Sequence, residues 1–83
     1  MIMTEIVIYS KPGCHLCEDA KLILAKVGQD CPFRLVEVDI LQDPLLEKEF
    51  GYDIPVIFIN GRKAFKHRLT EQALRQKLDR IGR

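Results

Sequence analysis

Two β-branched runs bracket a stretch of helical periodicity at the start of this chain, and that pairing constrains the fold more than any other feature. Glu5 to Tyr9 (EIVIY) is a short apolar run of the kind that forms a strand covered on both faces. Ser10-Lys11-Pro12-Gly13 breaks it. From Cys14 onward, Leu16, Ala20, Ile23, Leu24 and Val27 recur at helical spacing, with Glu18 and Asp19 near the positive end of the dipole, and the helix is expected to end near Gly28. Phe33 to Ile40 (FRLVEVDI) alternates as a second strand. Strands joined through a helix are expected to run parallel with a right-handed crossover.

The remainder extends this unit. Asp43-Pro44 has the cap-then-proline form of a helix start, and Gly51 closes that short helix after Phe50. Val56 to Ile59 (VIFI), entered through Ile54-Pro55, is a third strand. Asn60-Gly61 is a strong hairpin signal, so an antiparallel fourth strand follows through Arg62 to Phe65. Thr70 caps a last helix with Leu74, Leu78 and Ile81 on its core face. The order is β-α-β-α-β-β-α: an α/β chain with a four-stranded mixed sheet and helices on its faces. Eighty-three residues suffice for one domain with a modest core, so residues 1–83 are expected to form a single domain.

Composition narrows the function classes. No run of about 18 apolar residues is present, and the opening MIMTEIVIYS lacks the basic and cleavage regions of a signal peptide. A cytoplasmic protein with reduced thiols is expected, acting as a monomer away from membranes. The net charge of +1 conceals an asymmetry: residues 1–60 hold five Lys/Arg against ten Asp/Glu, and residues 61–83 hold eight against two. Such a basic third can steer an anionic partner, or it can be the solvated face of a strand and a helix; interleaved apolar positions favour the second reading. Without an exposed aromatic platform there, nucleic acid is not an expected partner.

Chemistry concentrates in Lys11-Pro12-Gly13-Cys14-His15-Leu16-Cys17. The turn lies at the carboxyl end of the first strand, where open α/β sheets gather their sites. Free amides and the helix dipole at the N-cap favour a thiolate, and Lys11 can add positive charge. Cys17, one turn further in and on the same face, is expected to be the more buried and less acidic thiol. Cys14 then attacks and Cys17 resolves. His15 reads either as an imidazolium tuning the pair or as an exposed turn residue. Pro55 has no N–H for a ladder, and a cis bond to Ile54 exposes the Ile54 backbone to an extended substrate; only about 5–6% of X-Pro bonds are cis, so the residues alone favour trans. Cys31 is expected to be a buried bystander. The rival readings are a metal or iron–sulfur carrier using the two thiolates, for which no second ligand pair exists, and a non-catalytic interaction module.

The Cys-x-x-Cys turn followed by Ile-Pro-Val-Ile-Phe-Ile-Asn-Gly resembles a glutaredoxin, a minimal thioredoxin-fold protein. The resemblance extends over Tyr9, Lys11, Cys14, Cys17, Lys21, the Glu-Val-Asp ending of the second strand and the Pro55 strand. It is nearest to small bacterial glutaredoxin-like proteins with Cys-His-Leu-Cys. It implies a cis Pro55 packed against the cysteines and disulfide oxidoreductase activity; the catalytic residues expected are Cys14 and Cys17, with Lys11, His15, Ile54 and Pro55 expected to bind substrate. No bound cofactor or metal is implied; glutathione enters as a co-substrate. The implied partners are a disulfide-containing protein or a low-molecular-weight thiol, with glutathione or a flavin-dependent reductase as reductant. The chain departs from the glutaredoxin pattern at His15-Leu16, in place of Pro-Tyr. It departs again at Ala64-Phe65-Lys66-His67-Arg68, where Gly-Gly and an acid normally hold glutathione; there Lys66 and Arg68 are candidates to meet its carboxylates.

Overall fold

A computed structural model describes residues 3–81; Met1, Ile2, Gly82 and Arg83, part of the opening and of the basic third read above, lie outside the described residues. The elements are β1 (Glu5–Ser10), α1 (His15–Asp30), β2 (Arg34–Asp39), a 3-10 turn (Ile40–Gln42), α2 (Pro44–Phe50), β3 (Val56–Ile59), β4 (Arg62–Lys66) and α3 (Glu71–Ile81). They form one mixed sheet in the order β2-β1-β3-β4. β1 pairs parallel with β2, whereas β1–β3 and β3–β4 are antiparallel.

The two helical connections behave differently, which corrects the expectation that both join parallel strands. α1 has 16 residues, about 24 Å of helix, enough to carry the chain back along the sheet. α2 has seven, about 10 Å, close to the roughly 10 Å between strands two places apart. It can only cross the end of the sheet. β3 therefore starts where β2 stopped, runs opposite to both β1 and β2, and brings Pro55 to the carboxyl end of β1, with Val56 beside Tyr9.

β1 is covered on both faces, one more completely than the other. Ile6 and Ile8 are fully buried with Ala20, Leu24 and Val27 of α1, Ile57 and Ile59 of β3, and Leu74 of α3. A second cluster holds Ile40, Phe50, Ile54, Val56 and Cys17, with Tyr9, Cys14, Leu46 and Phe58 packed against it. Each fully buried Ile or Leu contributes roughly 1.5–3 kcal/mol. Burial alternates along β1, with Val7 and Tyr9 half-buried on the second face.

Several boundaries differ from expectation. α1 continues past Gly28 to Asp30. Gly28 serves packing rather than termination: a Cβ there would stand 3.3 Å from the Phe33 ring. Ile40 leaves the strand and is buried in the 3-10 turn, held by Asp39, whose Oδ1 accepts from Leu41 N–H at 2.9 Å. Leu16 and Ile81 are 38% and 37% exposed and so lie outside the core. Cys31 is exposed as well. It follows the last turn of α1, where its N–H donates to Val27 O at 2.8 Å. The caps stand as expected: Asp43 Oδ1 accepts from Leu45 N–H at 2.9 Å, and Thr70 Oγ1 from Ala73 N–H at 3.1 Å.

Candidate functional site

Cys14 is the N-cap of α1, with extended backbone (φ −98°, ψ 110°), and its Sγ accepts from Cys17 N–H at 3.2 Å. A sulfur thus occupies the place of the usual capping oxygen and meets a helix N–H that would otherwise lack a partner. Gly13, at φ +78°, makes the turn that delivers it; a side chain there is disfavoured by backbone conformation although the space is open. Glu18 N–H donates to Cys14 O at 3.1 Å and starts the helical ladder.

Cys17 is fully buried while Cys14 remains half-buried. Burial pushes the Cys17 thiol up to about 12, and its hydrogen bond with the Cys14 side chain acts in the same direction. A hydrogen bond from the Lys11 backbone amide opposes both, and the Lys21 charge adds a smaller opposing pull. The pair therefore consists of one accessible sulfur and one protonated sulfur behind it.

The remaining sequence-predicted residues are placed unevenly. Lys11 is exposed; its backbone meets Cys17, and it lines a groove of about 540 Å³ with Ile40, Pro44, Glu47, Lys48 and Tyr52. His15 is exposed at the first position of α1, and among the described residues its side chain makes no hydrogen bond or ion pair. Lys21 lies 3.7 Å from Glu18 Oε1 and 3.4 Å from Glu37 Oε1, joining α1 to β2.

The Ile54–Pro55 bond is cis, as the resemblance implied and the residues alone did not. Pro55 is buried, and its neighbours Ile54 and Val56 share the cluster of Cys17. Ile54 is less available than expected, because its N–H already donates to Phe50 O at 3.1 Å.

Sequence reasoning missed the clamp on this turn. His67 takes a left-handed conformation (φ +66°), and its N–H is shared between Asp53 O at 3.0 Å and Pro55 O at 2.9 Å. Its Nε2 stands 3.7 Å from Asp53 Oδ1. Histidine tolerates that conformation better than most side chains, which is the one sequence cue available. His67 thus anchors the strand end where the glutaredoxin pattern has glycines. Arg75, one of the cations of the basic third, bonds Asp30 Oδ2 at 2.8 Å and Glu71 Oε2 at 2.9 Å, tying α3 to the end of α1. Among the described residues, no three His, Cys, Asp or Glu converge as metal ligands, and no helix is long and apolar enough to cross a membrane.

With this geometry in place, comparison with known proteins is decisive for family. Residues 5–79 match the model of the glutaredoxin-like domain (DUF836). The chain belongs to that family. A relative described as a glutaredoxin-like protein YDR286C homolog, from Dictyostelium discoideum, is 36% identical over 85 residues, covering 95% of this chain and 79% of the relative. The X-ray structure of protein XcR50 from X. campestris superposes with a TM-score of 0.76 at 30% identity, covering 90% of this chain and 96% of that one. Oxidised mitochondrial thioredoxin 3 from Saccharomyces cerevisiae shares the fold at 20% identity, with a TM-score of 0.69 over 93% of this chain and 77% of that one. The glutaredoxin-like chain therefore has a thioredoxin-type architecture with its cysteine pair at the head of α1.

Proposed function

We propose that this glutaredoxin-like protein is a cytoplasmic thiol–disulfide oxidoreductase working through Cys14 and Cys17. The observation that carries the reading is the hydrogen bond from Cys17 N–H to Cys14 Sγ, 3.2 Å long, with the Cys17 thiol buried immediately behind. A thiolate on Cys14 has a helix N–H to accept from and stands where a substrate can reach it. It attacks a disulfide R–S–S–R′, forming a Cys14–S–S–R bond and expelling R′S⁻. Cys17 then gives up its proton to the released thiolate and attacks the Cys14 sulfur. RS⁻ leaves, and a Cys14–Cys17 bond remains.

Two electrons pass from the protein to the substrate. The exchange needs no bound cofactor, because the two sulfurs carry both electrons. The high pKa of Cys17 keeps it from competing for the first attack. Lys11 and Pro55 border the substrate, the Ile54 carbonyl offers it one backbone acceptor, and exposed His15 lies beside the mixed disulfide. A low-molecular-weight thiol such as glutathione, or a flavin-dependent reductase, restores the dithiol.

Disulfide reductase assays on three proteins test the reading. Cys14→Ser should lose turnover by at least about a hundredfold, since no second accessible sulfur lies at the site. Cys17→Ser should accumulate an adduct on Cys14, visible by mass spectrometry. Wild-type rates from both variants would refute the mechanism.

A further inference from the structure

The groove beside the cysteines has a composition that dithiol exchange alone does not require. Lys11 and Lys48 both line it, and among the described residues neither forms an ion pair. The other Lys/Arg of residues 1–60, Lys21, Lys26 and Arg34, each sit within 4 Å of a carboxylate. Two ammonium groups without an ion-pair partner thus line one groove against a single carboxylate, Glu47, within a segment that is otherwise net acidic. Tyr52 completes the lining and is 95% exposed. The other tyrosine, Tyr9, packs its ring 4.7 Å from Phe50 and 5.4 Å from Phe58. An aromatic ring standing free beside two cations is a platform for a planar group attached to an anion.

The groove adjoins the reactive pair through Lys11, whose backbone amide meets Cys17 and which precedes Cys14 by three residues. Its volume of about 540 Å³ falls within the range of small-molecule sites. We propose that this groove binds the phosphate and planar ring of a low-molecular-weight disulfide, a nucleotide-bearing thiol in oxidised form, between Lys11, Lys48 and Tyr52. Lysines meet phosphate as point charges and need no planar fork. Stacking on Tyr52 should raise affinity about tenfold or more, as base–aromatic contacts do. Glu47, the one carboxylate of the lining, confines anionic charge to the lysines and can accept from an amino group on the ring. This assignment rests on the exchange chemistry proposed above and names its substrate class.

Binding is measured with adenosine 3′,5′-bisphosphate, which has the phosphates and the ring but no sulfur. Titration followed by NMR should give saturable shifts at the amides of Lys11, Lys48 and Tyr52. Lys48→Ala and Tyr52→Ala should each weaken binding about tenfold, and inorganic pyrophosphate should bind about tenfold more weakly than the nucleotide. Neither side chain is buried, so both variants should fold. In turnover, coenzyme A disulfide should exceed oxidised glutathione in kcat/KM, and Tyr52→Ala should remove the advantage. The proposal is overturned if those amides show no saturable shift, if both variants bind like wild type, or if pyrophosphate binds equally well. Because the probe carries no sulfur, binding without any disulfide turnover refutes the exchange reading alone, whereas turnover without binding refutes this one.

Discussion

Cys14 and Cys17 are three residues apart in sequence, yet one is half-buried at the helix cap and the other has no solvent contact. Burial and the Cys14 contact raise the Cys17 pKa from 9.0 to about 12. An unfolded chain releases that proton near pH 9, while the folded one retains it up to about pH 12. The unfolded state therefore binds fewer protons across this window, and stability must fall as pH rises through it. Below pH 9 the contribution is complete. Chemical denaturation from pH 8 to 11 should show wild type losing stability more steeply than Cys17→Ala, by a few kcal/mol at most. Equal slopes would mean that the buried thiol titrates normally. Gly13 supplies a second prediction at this scale. Gly13→Ala puts a side chain at φ +78° with no atom to strike, so only the backbone cost of about 1–2 kcal/mol applies. Denaturation midpoints measure it, and a neutral result would mean that the turn relaxes.

Among the elements, the short α2 has the largest effect on the site. Its length sets the direction of β3, and its last residue, Phe50, holds the Ile54 N–H. Asp43 starts it by accepting from Leu45 N–H, and Pro44 at the first position needs no such partner. Asp43→Ala should cost about 1 kcal/mol and should slow disulfide exchange as well, because the turn before Pro55 depends on α2. Thr70→Ala removes the equivalent bond from α3 at a similar cost of about 1 kcal/mol. It should leave exchange rates untouched, since α3 packs on the other cluster. Stability and rate measured on both variants check the contrast; equal rate losses would contradict it.

Across the whole molecule, the two apolar clusters divide the work. One joins the sheet to α1 and α3; the other surrounds Cys17 with Ile40, Phe50, Ile54 and Val56. Leu74→Ala and Ile40→Ala each remove a fully buried side chain and should each cost roughly 2–5 kcal/mol. Only Ile40→Ala admits water near Cys17, so only that variant should make the buried thiol react faster with an alkylating reagent under native conditions. The exposed Cys31 lies at the far end of α1, about 21 Å of helix from Cys17, and should alkylate ahead of Cys17 in both.

The element order, the caps at Asp43 and Thr70, the Asn60-Gly61 hairpin and the address of Cys14 were legible in the chain, because each depends on periodicity or on turn chemistry within a few residues. Membership in the glutaredoxin-like family was legible for the same reason, as its signature is local. The antiparallel course of β3, the exposure of Cys31, the clamp of His67 on Asp53 and Pro55, and the pairing of Arg75 with Asp30 were not. Those depend on which distant segments end side by side. Spacing along a chain determines which face a residue occupies, but only the closed sheet determines what stands opposite that face, and the environments of Cys31, Tyr52 and Lys48 are of that second kind.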